Sequence, residues 1–250
     1  MSARNSTVVI TGAGSGIGRA TAEAFASDGW DLLLVGRRDE KLQETISSLP
    51  NPNCASLAAL DVSEPGAMHK AVQEFAAAKG GIDALVANAG INPQRANALD
   101  TTDEFWDETL RVNLTGTHRS CQAVLPFMRK AQSGAIVTLG SIAGQVGMID
   151  RAAYGPSKAA VIQYTRNLAL DFGPDQIRAN CVCPGFVVTD INRDWLEALP
   201  AETHAQLIGK HPLGLGTPEN VAAAILFLCQ PAARWITGVD LSVDGGYTAQ

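Results

Sequence analysis

The sequence lacks an apolar run long enough to cross a bilayer. The late apolar stretch Val221 to Cys229 is far shorter than the roughly 20 residues that a membrane-spanning helix needs, and no secretory-type hydrophobic segment occurs near the N-terminus. Cations are also scarce, since the formal net charge is −6, whereas nucleic-acid phosphates require a basic face. We therefore expect a cytoplasmic protein whose partners include no membrane and no nucleic acid.

Cysteine and histidine are few and show no spacing typical of metal ligands. The five cysteines are odd in number and scattered. Because Cys181 and Cys183 fall within an apolar strand pattern, buried free thiols are favoured over a metal or redox site. The four histidines are scattered as well. The sequence therefore predicts a protein that holds no metal ion.

What the chain does contain is a regular alternation of strand and helix patterns along all 250 residues. Continuous apolar strands, such as 32–35, are typical of a parallel sheet that is covered on both faces. We predict an α/β fold with a doubly wound parallel sheet of about seven strands and helices on both faces, forming a single domain over 1–250. Strands are expected near 7–11, 32–36, 56–60, 84–88, 135–140, 178–183 and 239–243, and helices near 17–28, 39–48, 65–79, 103–130, 154–172 and 218–229.

A glycine-rich turn follows the first strand pattern and opens the first helix pattern. Gly12, Gly16 and Gly18 fit T-G-x-x-x-G-x-G, whereas the commoner G-x-G-x-x-G fails because Ile17 occupies its last position. Glycines let the backbone approach a pyrophosphate, and the N–H groups and dipole of the helix start attract its charge. The pattern predicts a dinucleotide-binding turn.

Ser141, Tyr154 and Lys158 form the most informative set of polar residues. Tyr154 and Lys158 are four residues apart, which places their side chains on one helix face. A phenol ordinarily keeps its proton at neutral pH, and a neighbouring ammonium favours the phenolate, so such a pair can act as a general acid and base. Ser141 follows the apolar strand pattern 135–139 and offers a neutral hydroxyl that can polarise a carbonyl.

A glycine, a proline or a polar residue follows each of six predicted strands. In open α/β sheets, ligands bind in the crevice beyond the carboxyl ends of the strands. The sequence therefore predicts a ligand site at one edge of the sheet, built around Gly12, Arg37, Asp61, Asn88, Ser141 and Pro184-Gly185.

Further motifs occur in the order and spacing of a known family, namely Asp61-Val62, Asn88-Ala89-Gly90, Asn113 and Pro184-Gly185. Together with the turn from Thr11 to Gly18 and the Ser141, Tyr154 and Lys158 set, they cover nearly the whole chain. The sequence resembles the single-domain short-chain dehydrogenases/reductases. The resemblance implies a Rossmann-type fold and hydride transfer between a nicotinamide cofactor and a carbonyl or secondary alcohol.

The resemblance assigns this chemistry to four residues. Tyr154 would exchange a proton with the substrate oxygen, and Ser141 would fix that oxygen. Lys158 would hold the nicotinamide ribose and favour the phenolate, while Asn113 would kink its helix and hold a water that links Lys158 to solvent. The cofactor-binding residues that the resemblance implies are Gly12, Ser15, Gly16, Ile17, Gly18, Arg37, Arg38, Asp61, Val62, Asn88, Ala89, Gly90, Tyr154, Lys158, Pro184, Gly185, Val187 and Thr189.

The end of the second strand favours NADP(H), with NAD(H) still possible. An acidic residue there would accept hydrogen bonds from the adenosine ribose and favour NAD. Gly36 occupies that position, and the Arg37 guanidinium suits a 2′-phosphate. Arg38 would either stack on the adenine or face solvent. Asp39 is expected to cap the following helix rather than bind the ribose.

The segment 186–216 is expected, by resemblance, to form a lid over a small-molecule carbonyl or alcohol substrate. Its apolar residues, such as Leu196 and Leu207, have roughly helical spacing and equally suit an ordinary helix core. Arg95 and Arg151 lie in segments that should line the mouth of the site. They could receive an acidic substrate, although exposed arginines are usually only solvated.

Two alternative functions are also compatible with these patterns. A 3-oxoacyl carrier-protein reductase is one specific alternative, but the acidic net charge does not favour docking of an acidic carrier protein, and a polyol or sugar dehydrogenase fits equally well. A non-catalytic dinucleotide-binding redox sensor is disfavoured, because it could lose the catalytic residues that are all present here.

The family usually forms homotetramers, and the apolar faces of 159–172 and 221–235 exceed what one sheet face needs.

Overall fold

The computed structural model describes residues 5–189 and 192–250, so Asp190 and Ile191 of the expected lid lie outside the described residues. Seven strands form one sheet: β1 (Thr7–Thr11), β2 (Asp31–Gly36), β3 (Ala55–Ala59), β4 (Ala84–Ala87), β5 (Gly134–Leu139), β6 (Ile177–Pro184) and β7 (Asp240–Val243). The helices are α1 (Gly16–Ser27), α2 (Asp39–Ser48), α3 (Ala67–Lys79), α4 (Asp103–Leu110), α5 (Gly116–Ala131), α6 (Tyr154–Phe172), α7 (Arg193–Glu197), α8 (Ala201–Gly209) and α9 (Pro218–Cys229).

The sheet is parallel throughout, in the order β3-β2-β1-β4-β5-β6-β7. The first strand lies between β2 and β4, so the chain winds outward in one direction up to β3 and in the other from β4 onward. A crevice opens at such a reversal, beyond the carboxyl ends of the central strands. The predicted fold class is confirmed.

Two apolar layers cover the two faces of the sheet. Alternate residues of β1 point to opposite faces, because side chains of a strand alternate with a period of two. Val8 and Ile10 belong to the cluster that includes Phe25 of α1 and Ile225 of α9. Val9 belongs to the second cluster, whose members come largely from α3, α5 and α6. The helices therefore sandwich the sheet, as the continuous apolar strands predicted.

The structure differs from the sequence-based expectation at two helices. The helix expected over 103–130 is divided, because the π turn Arg111–Thr115 separates α4 from α5. Arg38, not Asp39, occupies the N-cap position of α2, so the predicted capping role of Asp39 is wrong. Asp39 is instead the first helical residue, where the helix dipole favours its negative charge. In the described part of the chain, no helix combines the length and the apolar character needed to cross a membrane.

Candidate active site

The turn after β1 has backbone geometry that only glycine adopts easily. Gly12 and Gly16 have φ values of +67° and +51°, in the left-handed region. A Cβ on Gly12 would lie 2.7 Å from Asn88 Nδ2, and one on Gly18 would overlap the Gly12 carbonyl oxygen. A Cβ on Gly16 would lie 3.2 Å from Thr189 Cγ2. The turn therefore faces the segment that follows β6.

The ends of β1 and β4 are fastened to each other by side chains. Asn88 Nδ2 donates hydrogen bonds to the carbonyl oxygens of Thr11 and Gly12, at 2.9 and 3.2 Å. The Ala89 N–H donates to Thr11 Oγ1 at 3.0 Å. The Thr11 hydroxyl thus has a positioning role that the glycine pattern alone does not predict. Asn88 and Ala89 hold the floor of the crevice in place.

The end of β3 carries an ionised carboxylate in a small polar network. Asp61 Oδ1 accepts hydrogen bonds from the Ser63 N–H and hydroxyl, at 2.8 and 2.6 Å, and Oδ2 lies 3.3 Å from Arg111 Nη1. Burial alone would raise the pKa of Asp61, but Ser63 and the Arg111 guanidinium lower it below its ordinary value. Val62 is buried and packs against Gly116, where a Cβ would lie 2.6 Å from Val62 Cγ2. Sequence reasoning missed Ser63 and Arg111, which act only through this fold-dependent contact.

The end of β2 presents cations and no carboxylate of its own. Arg37 and Arg38 are both exposed. The pKa of Glu108 on α4 is lowered chiefly by its hydrogen bond from Arg111, with a further contribution from Arg37. The charge of Arg37 is therefore within electrostatic reach of α4. A Cβ on Gly36 would lie 3.3 Å from Leu42 Cδ2, so a small side chain fits there if Leu42 shifts slightly.

Asn113 lies in the π turn and joins three parts of the site. Its Oδ1 accepts from the Ile91 N–H at 2.7 Å, while Nδ2 donates to the Ile91 carbonyl at 2.9 Å and to Ser157 Oγ at 3.0 Å. Ser157 Oγ in turn donates to the Tyr154 carbonyl at 2.7 Å. A Cβ on Gly90 would lie 3.2 Å from Asn113 Oδ1 and 3.3 Å from Lys158 Nζ. The structure therefore brings Asn113, Gly90 and Lys158 together. Ser157, which links Asn113 with the Tyr154 backbone, was not predicted from the sequence.

Tyr154 and Lys158 lie in the first turns of α6, beside the end of β5. Lys158 is buried, and its Nζ donates a hydrogen bond of 2.7 Å to the Leu139 carbonyl. The same nitrogen lies 5.7 Å from the centroid of the Tyr154 ring. Ser141, two residues after Leu139, is buried as well, and its Oγ accepts from the Ala143 N–H at 3.1 Å. A buried ammonium, a phenol and a hydroxyl thus occupy one corner of the crevice.

The crevice is closed on its far side by the segment after β6. The Gly185 N–H donates to the Val243 carbonyl at 3.0 Å, and a Cβ on Gly185 would lie 2.8 Å from Asp244 Cα. Val187 is buried and pairs with Gly216 in an isolated parallel bridge. The two ends of the expected lid are therefore held together at its base.

Comparisons with known proteins agree with this geometry. A family model described as enoyl-(acyl carrier protein) reductase matches residues 12–248. The 3-oxoacyl-[acyl-carrier-protein] reductase FabG of Chlamydia pneumoniae is 36% identical over 244 residues, covering 96% of each chain. The chain belongs to the short-chain dehydrogenase/reductase family.

Two further comparisons concern a curated relative and a solved structure. A cis-4-hydroxycyclohexanecarboxylate dehydrogenase of Sinomonas cyclohexanicum is 36% identical over 243 residues, again with 96% of each chain covered. The solved structure of ElxO with NADP bound has a TM-score of 0.92 and 31% identity, covering 98% of this chain and 100% of that one.

The residues present in this short-chain dehydrogenase/reductase fit a nicotinamide dinucleotide. The Ser15 side chain makes no capping hydrogen bond at α1, so it does not occupy the first N–H groups of the helix, which suit a pyrophosphate. Ile17 is partly buried against the core and fixes the start of the helix. Side chains at the three motif glycines would crowd the Asn88 amide, Thr189 or the Gly12 carbonyl. The cradle therefore has the close backbone approach that a pyrophosphate requires.

The mouth of the site is built from two chain segments that pair with each other. Ala96 and Arg151 form an isolated parallel bridge, in which the Ala96 N–H donates to the Asp150 carbonyl at 3.3 Å and the Ala152 N–H to the Ala96 carbonyl at 3.2 Å. A narrow gap lies beside this bridge, and Tyr154, Arg151 and Phe105 are among the residues that line it. Arg151 and Tyr154 therefore border the same part of the mouth.

One histidine in the lid segment has a structural role that its sequence context does not reveal. His211 is buried between the rings of Phe186 and Tyr247. Its Nε2 accepts from the Phe186 N–H at 3.3 Å, and Nδ1 lies 2.9 Å from the Leu207 carbonyl. These contacts fix the orientation of the ring and connect the end of α8 with the residue after Gly185.

Proposed function

We propose that the protein is an NADP(H)-dependent oxidoreductase that interconverts a carbonyl and a secondary alcohol. The observation that carries the proposal is the placement of Lys158. A buried ammonium lies beside the Tyr154 ring and is fixed by the Leu139 carbonyl. Ser141 follows two residues later, at the carboxyl edge of the sheet. A non-catalytic sensor would not need this combination.

Each catalytic residue has a distinct proposed role. The Tyr154 hydroxyl donates a proton to the substrate oxygen during reduction and removes it during oxidation. The Ser141 hydroxyl donates a hydrogen bond that fixes the same oxygen, while Lys158 favours the phenolate through its charge. When bound, the nicotinamide cofactor supplies or accepts the hydride.

Asn113 is proposed to support this set by positioning. Its side chain holds the Ile91 backbone and Ser157, whose hydroxyl is bonded to the Tyr154 carbonyl. The π turn at Arg111–Thr115 supports the proposal that Asn113 kinks its helix. We retain the proposal that a water near Asn113 links Lys158 with solvent.

The proposed cofactor contacts are distributed along the crevice. Backbone groups around Gly12, Gly16 and Gly18 hold the pyrophosphate, and Asp61 with Val62 holds the adenine. The remaining proposed contacts, from the glycine turn to the segment after β6, are Ser15, Ile17, Arg38, Asn88, Ala89, Gly90, Tyr154, Lys158, Pro184, Gly185, Val187 and Thr189. Arg37 receives the 2′-phosphate, because the end of β2 offers a guanidinium and Gly36 offers no repelling carboxylate. The relative crystallised with NADP lends support to this preference.

Two neighbouring functions are kept as alternatives. FabG acts on 3-oxoacyl groups carried by a protein, so a carrier-protein reductase is the specific alternative. The relative that acts on a hydroxycyclohexanecarboxylate supports a small-molecule substrate instead. The net charge of −6 favours the second, because an acidic carrier protein would be repelled. A redox sensor would bind the dinucleotide without turnover.

The remaining architectural proposals concern the lid and the assembly. We propose that the chain is one catalytic domain in which 186–216, including α7 and α8, covers the substrate. Leu196 of this segment is buried, whereas Ile208 is partly exposed. We also propose a homotetramer with two-fold axes that works in the cytoplasm.

The experiment that tests the activity is turnover of a panel of carbonyls and secondary alcohols by the wild-type protein and Tyr154→Phe. The variant keeps the ring but loses the proton donor, so kcat should fall by at least about 100-fold. The dissociation constant for NADPH, followed by cofactor fluorescence, should change little. Near-normal turnover in Tyr154→Phe would contradict the assignment.

A matched control is available in Tyr164→Phe. The Tyr164 hydroxyl lies 3.0 Å from His118 Nδ1, in a contact between α6 and α5, and has no proposed part in the chemistry. This variant should turn over at the wild-type rate. Cofactor binding without turnover of any panel member would favour the sensor.

A further inference from the structure

We propose that the substrate carries an anionic group, a carboxylate or a related oxyanion, which Arg151 and Arg95 receive at the mouth of the site. The proposal rests on the oxidoreductase function given above and names the substrate class of that site. Within the oxyanions, carboxylate, sulfonate and phosphate share the chemistry that a guanidinium recognises.

The backbone holds Arg151 just before α6, which begins at Tyr154. Asp150 has a left-handed φ of +57°, and its carbonyl accepts both the Ala96 N–H and Arg151 Nη1, at 3.3 and 3.2 Å. Arg151 and Tyr154 both line the narrow gap beside the bridge between Ala96 and Arg151. The guanidinium is thus held by the chain on the same side of the mouth as Tyr154.

Arg95 brings a second positive charge to the same place. It precedes Ala96, the residue that pairs with Arg151 in the parallel bridge, so it lies in the segment next to Arg151. Burial lowers the pKa of Arg151, and the charge of Arg95 lowers it further, while the Tyr154 hydroxyl and the Asp150 carboxylate act in the opposite direction. The charge of Arg95 is therefore within electrostatic reach of Arg151.

The Arg151 guanidinium is held by a neutral group. The side chain is half-buried, and its hydrogen bond goes to a neutral carbonyl. No ion pair between Arg151 and a carboxylate occurs among residues 5–189 and 192–250. A half-buried cation without an ion pair is unfavourable unless an anion completes the site. A substrate with an anionic group would pair with this cation and be oriented with its carbonyl toward Tyr154.

The test compares oxo acids with their methyl esters. Ketones in which three to six carbon atoms separate the carbonyl from a carboxylate are reduced by wild-type protein, Arg151→Gln, Arg95→Gln and Arg151→Lys. In Arg151→Gln, KM for the acid should rise about 10- to 150-fold, the effect of one charge-assisted hydrogen bond, while KM for the ester and kcat for both stay nearly constant. Arg151→Lys should recover part of the loss, because it keeps the charge without the planar fork.

A control variant and the salt dependence of KM distinguish a loss of anion recognition from a general loss of activity. Arg234→Gln removes an exposed arginine in the turn after α9, and it should leave both KM values unchanged. Raising the salt concentration should increase KM for the acid but not for the ester, because salt screens charge interactions. Corresponding oxo sulfonates and oxo phosphates show which oxyanion binds best.

The outcomes also separate this inference from the proposed function. Equal kcat/KM for acid and ester in the wild-type protein would overturn the inference while leaving the oxidoreductase intact. If no ketone of the panel is reduced, the inference is tested by the affinity of the NADPH complex for the oxo acid, measured by titration. Tighter binding to wild-type protein than to Arg151→Gln supports the inference, and equal or absent binding overturns it. Absence of NADPH binding altogether counts against the proposed function itself.

Discussion

Arg37 and Gly36 at the end of β2 define the most specific prediction at the scale of single residues. In Gly36→Asp, Arg37→Ile, one charge-assisted contact to the 2′-phosphate is lost and a carboxylate is placed beside that phosphate. The lost contact is worth about 1.5–3 kcal/mol, which corresponds to about a 10- to 150-fold drop in NADPH affinity. The ratio of kcat/KM for NADPH and NADH should therefore reverse, as measured with both cofactors in both proteins.

Two controls keep this prediction interpretable. A Cβ at position 36 lies 3.3 Å from Leu42 Cδ2, so thermal unfolding should establish that the double variant folds normally. Arg38→Ile removes the neighbouring exposed arginine, and it should leave the cofactor preference unchanged. Wild-type protein that already prefers NADH would show that Arg37 stacks on the adenine or faces solvent.

Among elements, the π turn between α4 and α5 depends most on one side chain. Asn113→Ala removes three hydrogen bonds and leaves the partly buried Ile91 backbone groups and the buried Ser157 hydroxyl without these partners. Each unsatisfied buried group costs about 1–3 kcal/mol. The free energy of unfolding, measured by urea titration, should therefore fall by at least about 2 kcal/mol. Turnover should fall as well. Asn167→Ala, at an exposed position of α6, is the matched control and should lose less than about 0.5 kcal/mol. Unchanged stability in Asn113→Ala would contradict this account.

The same turn shows where sequence patterns stop being informative. Strands such as 32–35 were predictable because they are apolar on both faces, and the free, buried state of all five cysteines follows from their apolar surroundings. The division of the helix over 103–130 was not predictable from periodicity, because contacts with Ile91 and Ser157 hold the turn, and only the family resemblance implied a kink at Asn113. The Lys158 bond to the Leu139 carbonyl is a similar case. Periodicity describes neighbours along the chain, whereas these bonds join distant segments.

For the whole molecule, exposed apolar side chains support the proposed tetramer. Leu170 is 79% exposed and Trp235 is 96% exposed, and both belong to the faces expected to meet a second copy. Light scattering at micromolar concentration should give about four times the mass of one chain. Leu170→Lys, Trp235→Lys should dissociate the assembly, whereas Leu99→Lys, at a 93% exposed position outside these faces, should not. A wild-type monomer would refute the assembly.

The central place of β1 has a consequence for how the protein is made. β1 pairs with both β2 and β4, and the Thr7 N–H is bonded to the Asp83 carboxylate at 2.7 Å. Ribosomes add about 5–20 residues per second, so roughly 4–15 s separate the synthesis of Thr11 from that of Ala84. During that interval one edge of β1, an interior strand of the sheet, has no partner, and a nascent chain with an open apolar edge is prone to aggregate. Slower translation between these two strands would lengthen that vulnerable period, and chaperone supply would then limit the yield of the folded protein.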